Sequence, residues 1–304
     1  MSESVYHVPV LAGDVARLAA GRRRAVDGTT GGGGHTAILL EAGARVLAID
    51  RDPNAIAAAQ ARLPAGDVTW VTGAFADERV LNRVRRFRPD FVLLDLGVSS
   101  HQLDADARGF SFRRDVPLDM RMSATGRSAA DLLNTGTLAE LADLFHRFGD
   151  ERRARRLAET VVRRRADARF ATSDDLVNAI RRALGPRTGP GDFARLFQAV
   201  RMAVNHEIPQ LERALPGFRD ALVAEGILVV ITYHSGEDRL VKHQFAEWVR
   251  RCVCPPKSPL CTCRARALGR LPFRKPLVAA DSEVGANPRA RSAKLRAFVR
   301  DDGS

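Results

Sequence analysis

Three times within the first hundred residues a short apolar run ends on an aspartate and breaks into a loop. Ala25-Val26 runs into Asp27 and then into a glycine-rich loop from Gly28 to Gly34. Arg45-Val46-Leu47-Ala48-Ile49 ends at Asp50, and Phe91-Val92-Leu93-Leu94 ends at Asp95. Val68-Thr69-Trp70-Val71 reads as a fourth strand. Helical patterns fill the gaps, over His35 to Ala42 and Pro53 to Arg62. Pro53 suits a first helical turn, where its missing N–H has no partner to lose. Strands alternating with helices leave few folds open, and the simplest is an α/β sheet of parallel strands wrapped by helices. Ligands of such sheets sit at the carboxyl ends of the strands. Asp27, Asp50 and Asp95 all fall there.

The middle of the chain follows another rule. No strand run occurs between about Ser128 and Asn205. Leu138, Leu141, Ala142, Phe145 and Phe148 recur at helical spacing, as do Leu176, Val177, Ile180 and Leu184. Phe193, Leu196, Phe197, Val200 and Val204 mark a further amphipathic helix. These stripes read as core faces. The pattern implies an all-helical domain, residues 105–205, inserted into a discontinuous sheet domain, residues 1–104 and 206–304. Gly226 to Thr232 resumes the sheet as a buried strand, with Leu277-Val278 and Leu295 to Phe298 as shorter ones.

The loop Asp27-Gly28-Thr29-Thr30-Gly31-Gly32-Gly33-Gly34-His35 follows a strand and opens a helix. Consecutive glycines let backbone approach a ligand closely. Such a loop is also what a bare hinge looks like, and Asp50 separates the two. An acid at the end of the next strand is where ribose hydroxyls are gripped. The loop lacks the Gly-Lys-Ser/Thr of a phosphate cradle and the regular spacing of a dinucleotide site. Asp27, directly before the glycines, would repel a pyrophosphate but suits the ammonium and sulfonium of S-adenosyl-L-methionine.

Asp95-Leu96-Gly97-Val98-Ser99-Ser100 would then face the transferred methyl. A cytosine amine is a poor nucleophile, because its lone pair is delocalised into the ring. A strand-end carboxylate and a backbone carbonyl supply acceptors for its N–H bonds. Tyr233, Phe110 and Phe112 are the candidates for a stacking aromatic. Methylation at cytosine C5 needs a cysteine nucleophile, and none lies near this motif.

The formal net charge is +12 and the sequence pI about 10.7, which points toward a polyanionic partner or simply an arginine-rich surface. With 45% hydrophobic residues the chain can bury a sizeable core. The N-terminus has no signal-peptide pattern, and no apolar stretch nears the ~20 residues that span a membrane. A cytoplasmic protein is the expectation.

Several blocks together resemble the bacterial small-subunit (16S) ribosomal RNA cytosine-N4 methyltransferase family. They are His7 to Leu11, Asp27 to Thr29 with Gly31 to His35, Ala48 to Pro53, Leu93 to Ser100, Arg108 to Phe112 and Pro117 to Met122. Phe197 to Arg201, His234-Ser235 with Glu237 to Arg239, and Asn287 to Arg296 complete the set. The chain departs from the family pattern at His101, Gly236 and 192–195. The resemblance implies a class I (Rossmann-like) methyltransferase domain with an inserted helical domain. It implies transfer of a methyl group from S-adenosyl-L-methionine to one decoding-centre cytidine of 16S ribosomal RNA or the small ribosomal subunit. The donor contacts it implies are Gly33, Gly34, His35, Asp50, Phe75, Asp95 and Gln102, to which our reading adds Asp27. Asp95 and His234 are the catalytic candidates; His234 reads equally as a hydrogen-bonded structural histidine. Arg289, Arg291, Lys294 and Arg296 are the RNA-binding candidates, since phosphates reward clustered guanidinium groups.

Cys252, Cys254, Cys261 and Cys263 flank a proline-rich loop. Four thiolates match tetrahedral zinc, yet their one-residue gaps are tighter than usual, so unligated thiols or redox pairs remain open. Two rival functions also stand: an amino-methyltransferase acting on another RNA or on DNA, and a donor-binding ribosome-assembly factor.

Overall fold

The computed structural model describes residues 9–63, 66–97, 109–122, 126–252, 254 and 266–301. Helix α1 (Ala12–Ala19) precedes β1 (Arg24–Asp27), α2 (Gly34–Glu41), β2 (Arg45–Asp50), α3 (Pro53–Arg62), β3 (Val68–Thr72), α4 (Glu78–Phe87) and β4 (Phe91–Asp95). Five helices follow: α5 (Ala129–Thr135), α6 (Leu138–Arg147), α7 (Ala154–Asp167), α8 (Ser173–Leu184) and α9 (Pro190–Val204). Then come α10 (Glu207–Ala221), β5 (Ile227–Thr232), α11 (Ser235–Trp248), β6 (Gly269–Arg270), β7 (Leu277–Val278), α12 (Asp281–Ala286) and β8 (Lys294–Arg300). Among the described residues no helix is long and apolar enough to cross a membrane.

Two compact units divide the chain, Met1–Gly97 with Gln210–Ser304, and Val98–Pro209. In the first, one sheet has the order β3-β2-β1-β4-β5-β8-β6, with β7 also paired to β8. Strands β3, β2, β1, β4 and β5 are parallel; β8 runs antiparallel to β5, pairing Ile227 with Val299 and Thr232 with Lys294. This is the class I α/β arrangement.

Period-two alternation sends the strand side chains into two cores. Val26, Leu47, Ile49, Val92, Leu94, Leu228 and Val230 pack on one face with Leu81, Val84, Phe218, Phe245 and Trp248. Ala25, Val46, Ala48, Phe91, Leu93, Val229 and Ile231 pack on the other with Val15, Ala19 and Leu39. Both faces are covered, which is why these strands read as continuous apolar runs. Helix α10 belongs to this unit from Gln210 on, because Leu211, Ala214, Leu215 and Phe218 bury on the sheet. The unit boundary therefore lies at Pro209, a few residues beyond the end of the helical periodicity.

The helical unit has its own core, with Leu132, Leu141, Phe145, Leu157, Val161, Phe170, Leu176, Ile180, Leu196 and Phe197 among its members. Its helix starts are fixed locally. Ser128 with Asp131, and Thr137 with Glu140, form reciprocal capping boxes at α5 and α6.

Candidate active site

The glycine loop leaves β1 by extending the sheet to both neighbours. Gly28 N donates to Leu93 O at 2.9 Å, and Thr30 N to Ile49 O at 2.9 Å. A Cβ on Gly28 would fall 2.4 Å from Leu94 Cδ2, so any larger residue there would have to displace that buried side chain. Gly31 and Gly33 then take φ of 50° and 79°, the left-handed region that glycine enters without strain. A Cβ on Gly33 would meet Leu63 Cδ1 at 3.0 Å and Ala59 Cβ at 3.1 Å. The loop hands directly into α2, whose first residues are Gly34 and His35.

Each strand-end aspartate has a distinct job. Asp50 Oδ2 accepts from Gly31 N at 2.8 Å, and its Oδ1 accepts from Asp52 N at 2.8 Å. Burial pushes its carboxyl up, against the pull of those two N–H groups. Asp52 in turn caps α3 by accepting from Asn54 N at 3.0 Å, with Pro53 behind it. Asp27 is fully buried; Thr36 Oγ1 donates to it at 2.6 Å and Thr29 N at 3.2 Å. Burial raises its carboxyl too, with the Thr36 hydroxyl opposing.

Asp95 has side-chain neighbours from two other elements. Tyr233 Oη donates to Asp95 Oδ1 at 2.8 Å, and His35 Nδ1 lies 3.4 Å from Asp95 Oδ2. The Asp95 backbone N–H donates to Thr29 Oγ1 at 2.7 Å, tying β4 to the glycine loop. Burial pushes the Asp95 carboxyl up, while His35 and then the Tyr233 hydroxyl pull it down. Burial and the Asp95 charge push the Tyr233 phenol up, so it stays a donor. On the far side of the ring, His35 Nε2 meets Val10 O at 3.0 Å. A carbonyl only accepts, so this contact is a hydrogen bond when Nε2 carries the ring proton.

Phe75 sits half-buried just beyond β3, against the core shared by Val26, Ile49 and Val71. Gln102 lies outside the described residues. His234 is the N-cap of α11, its Nδ1 accepting from Gly236 N and Glu237 N at 3.2 Å each. Its Nε2 is buried 3.1 Å from Glu237 Oε1, within ion-pairing distance but outside hydrogen-bond alignment.

The basic segment divides. Arg291 is exposed and Arg289 half-buried. Arg296 instead holds Asp238 through Nε at 2.7 Å and a second nitrogen at 3.2 Å, with Lys294 Nζ 3.4 Å away. Burial would raise the Asp238 carboxyl, but Arg296 and Lys294 outweigh it and hold it low. Arg296 and Asp238 side chains are each 13% exposed, so the pair is largely desolvated. Arg296→Ala should therefore cost roughly 3–5 kcal/mol of unfolding free energy by stranding a buried carboxylate, with the lower end expected because Lys294 remains. Denaturant titration checks this; wild-type stability would return Arg296 to the RNA-facing set. Cys252 is exposed and Cys254 half-buried, whereas Cys261 and Cys263 lie outside the described residues.

Thr29, Thr36 and Tyr233 are the hydrogen-bond partners that sequence reasoning did not assign. The two threonines flank the glycines, and Tyr233 directly precedes His234, but nothing in the spacing says which aspartate each one meets.

The chain is similar to known proteins over nearly all of its length. The MraW methylase family matches residues 4–301. The chain is 52% identical over 300 residues to the ribosomal RNA small subunit methyltransferase H of Gemmatimonas aurantiaca, covering 96% of this chain and 95% of that protein. It is 44% identical over 310 residues to the protein of the same name from Heliobacterium modesticaldum, covering 96% and 97%. Among solved structures, an rRNA methylase from Streptococcus thermophilus is similar at a TM-score of 0.43 and 10% identity, covering 95% of this chain and 93% of that one. The chain belongs to the MraW methylase family.

Proposed function

We propose that this chain transfers a methyl group from S-adenosyl-L-methionine to the N4 amine of a decoding-centre cytidine in 16S ribosomal RNA. The observation that carries the reading is Asp95, a carboxylate at the end of a central strand with Tyr233 on one oxygen and His35 beside the other. Family membership supports the methylase half of the reading, and the names of the relatives support the ribosomal RNA half.

The residues present fit the donor. The left-handed turns at Gly31 and Gly33, packed against α3, and the Asp50 carboxylate at the end of β2 suit an adenosyl group. Gly33, Gly34, His35, Asp50 and Phe75 would hold it, with Asp27 supplying negative charge beneath the loop. When bound, the donor supplies an electrophilic methyl on a positively charged sulfur.

The chain's own residues handle the amine. Asp95 accepts one of its N–H bonds, which opposes delocalisation of the nitrogen lone pair into the ring. Tyr233 fixes the carboxylate orientation by donating to Oδ1. A fixed negative charge stabilises the positive charge that develops on nitrogen, without reorganisation cost at that moment. The amine must also lose a proton, and in this reading the Asp95 carboxylate takes it. His234 caps the helix that follows Tyr233, and in this reading it positions that tyrosine. Arg289 and Arg291 meet phosphates.

Methyl incorporation into naked 16S ribosomal RNA, assembled small subunits and DNA, followed by identification of the methylated nucleoside, tests the proposal. N4-methylcytidine at one site in the ribosomal substrate is the expected result. Label at cytosine C5, or in DNA alone, would overturn it. Donor binding without transfer to any of the three would favour the assembly-factor reading.

A further inference from the structure

Among the described residues, the large apolar side chains left exposed are Phe112, Leu268 and Val278, and Phe112 is the aromatic one at 39% exposure. A single exposed apolar side chain is ordinary. What surrounds this one is not. Phe193 and Phe197, both buried, support the ring with centroids at 6.2 and 6.1 Å and interplanar angles of 53° and 69°. The Arg181 guanidinium lies over the Phe193 ring, 5.2 Å from its centroid. Arg113 and Arg114, both exposed, follow directly in the chain.

The segment carrying the ring is anchored. Asp115 N donates to Asp174 Oδ2 at 2.9 Å and Val116 N to Ser173 Oγ at 3.2 Å. Ser173 N donates back to Val116 O at 2.8 Å, and Leu118 N to Ala171 O at 2.9 Å. On the other side, Gly109 turns at φ 74°, where a Cβ would fall 2.1 Å from Pro117 O. Phe112 is thus held out by its backbone. All of these residues belong to the helical unit.

We infer that Phe112 is a stacking platform for an unpaired base of the RNA substrate, with Arg113, Arg114 and Arg181 meeting neighbouring phosphates. This rests on the RNA reading above and names a recognition element for it. One ring is too small for a stable protein interface but matches the face of one base. Cations around an aromatic platform are the combination that binds single strands, through stacking and backbone charge together.

The test uses the full-length protein and a single-stranded RNA oligonucleotide spanning the target cytidine. Phe112→Ala should weaken binding about 5- to 150-fold, as expected for losing one base–aromatic stack. The slope of log affinity against log salt should stay the same, because no phosphate contact is lost. Arg114→Ala and Arg181→Ala should each lower that slope by about one. Phe112→Trp preserves a ring at the site; it should keep near wild-type affinity and its emission should be quenched as RNA saturates. Wild-type affinity in Phe112→Ala, or a Phe112→Trp emission that RNA leaves unchanged, would overturn the inference. The tryptophan variant decides alone if the alanine variant fails to fold. Wild-type protein that binds no RNA would instead bring down the RNA reading itself.

Discussion

Asp95→Asn is expected to slow single-turnover methyl transfer about 10²–10³-fold with donor and RNA both saturating. The substitution keeps the shape and one acceptor oxygen, so the base can still dock. It also keeps the main-chain bond from residue 95 to Thr29 Oγ1. What disappears is the negative charge beside His35 Nδ1, the charge that the proposal directs at the amine. If Asp95 served only to hold the loop, stability or donor affinity would fall while the saturated rate stayed. A rate within about threefold of wild type, a barrier change under roughly 0.7 kcal/mol, would take Asp95 out of the chemistry. Its pH behaviour gives a second check. The active form is the carboxylate, so the rate is lost as pH falls through the raised Asp95 pKa. Burial sets that elevation, with His35 and the Tyr233 hydroxyl opposing it. Tyr233→Phe removes one opposing group, so the acid limb of the pH–rate profile should move to higher pH. A limb that stays or moves down would separate Tyr233 from the carboxylate's titration.

Asp50→Ala should weaken donor binding about 10- to 150-fold, the equivalent of roughly 1.5–3 kcal/mol for a lost hydrogen bond to a charged group. Its carboxylate sits at the end of β2 and already orders the glycine loop through Gly31 N and the start of α3 through Asp52 N. Alanine therefore removes both the anion proposed to grip the ribose and the bonds that order the glycine loop and the start of α3. Asn is no gentle control here, because its amide nitrogen would face one of two N–H donors. Calorimetry with the donor measures the effect, and thermal unfolding read alongside separates its causes. A lowered melting temperature with intact donor affinity would make Asp50 a loop brace only.

Much of the sheet unit was legible because it obeys local rules. Both faces of β1, β2, β4 and β5 are buried, so their apolar runs stand out, as do the aspartates that end the first three. Pro53 and Arg62 mark the two ends of α3 as the helical pattern implied. Leu277-Val278 and Leu295 to Phe298 are strands, though only pairing with β5 reveals that β8 runs backwards. The strand-end aspartates were legible by position and not by partner. Asp95 and Tyr233 meet across 138 positions of sequence, and no periodicity encodes that contact. Arg296 illustrates the reverse problem. Beside Arg289 and Arg291 it looks like one more cation of a basic run, yet strand alternation turns it toward Asp238. His234 was ambiguous for a physical reason: an imidazole nitrogen that accepts from helix N–H groups looks, in sequence, like one poised to take a proton.

The pairing of β4 with β5 sets a constraint on how the chain is made. Phe91 to Asp95 must zip onto Ile227 to Ile231, and everything between them has to be synthesised first. At ribosomal speeds that interval is on the order of ten seconds. Through it, β4 presents an unsatisfied edge beside a completed β1, the kind of edge that recruits foreign strands. Closing so long a connection is also entropically unfavourable unless it is first compacted. The helical unit, with a core of its own and helix caps set by near neighbours in sequence, is able to collapse while β5 is still in the exit tunnel. Its autonomous core then acts as an intramolecular splint, shortening the effective loop and hastening the burial of the open edge.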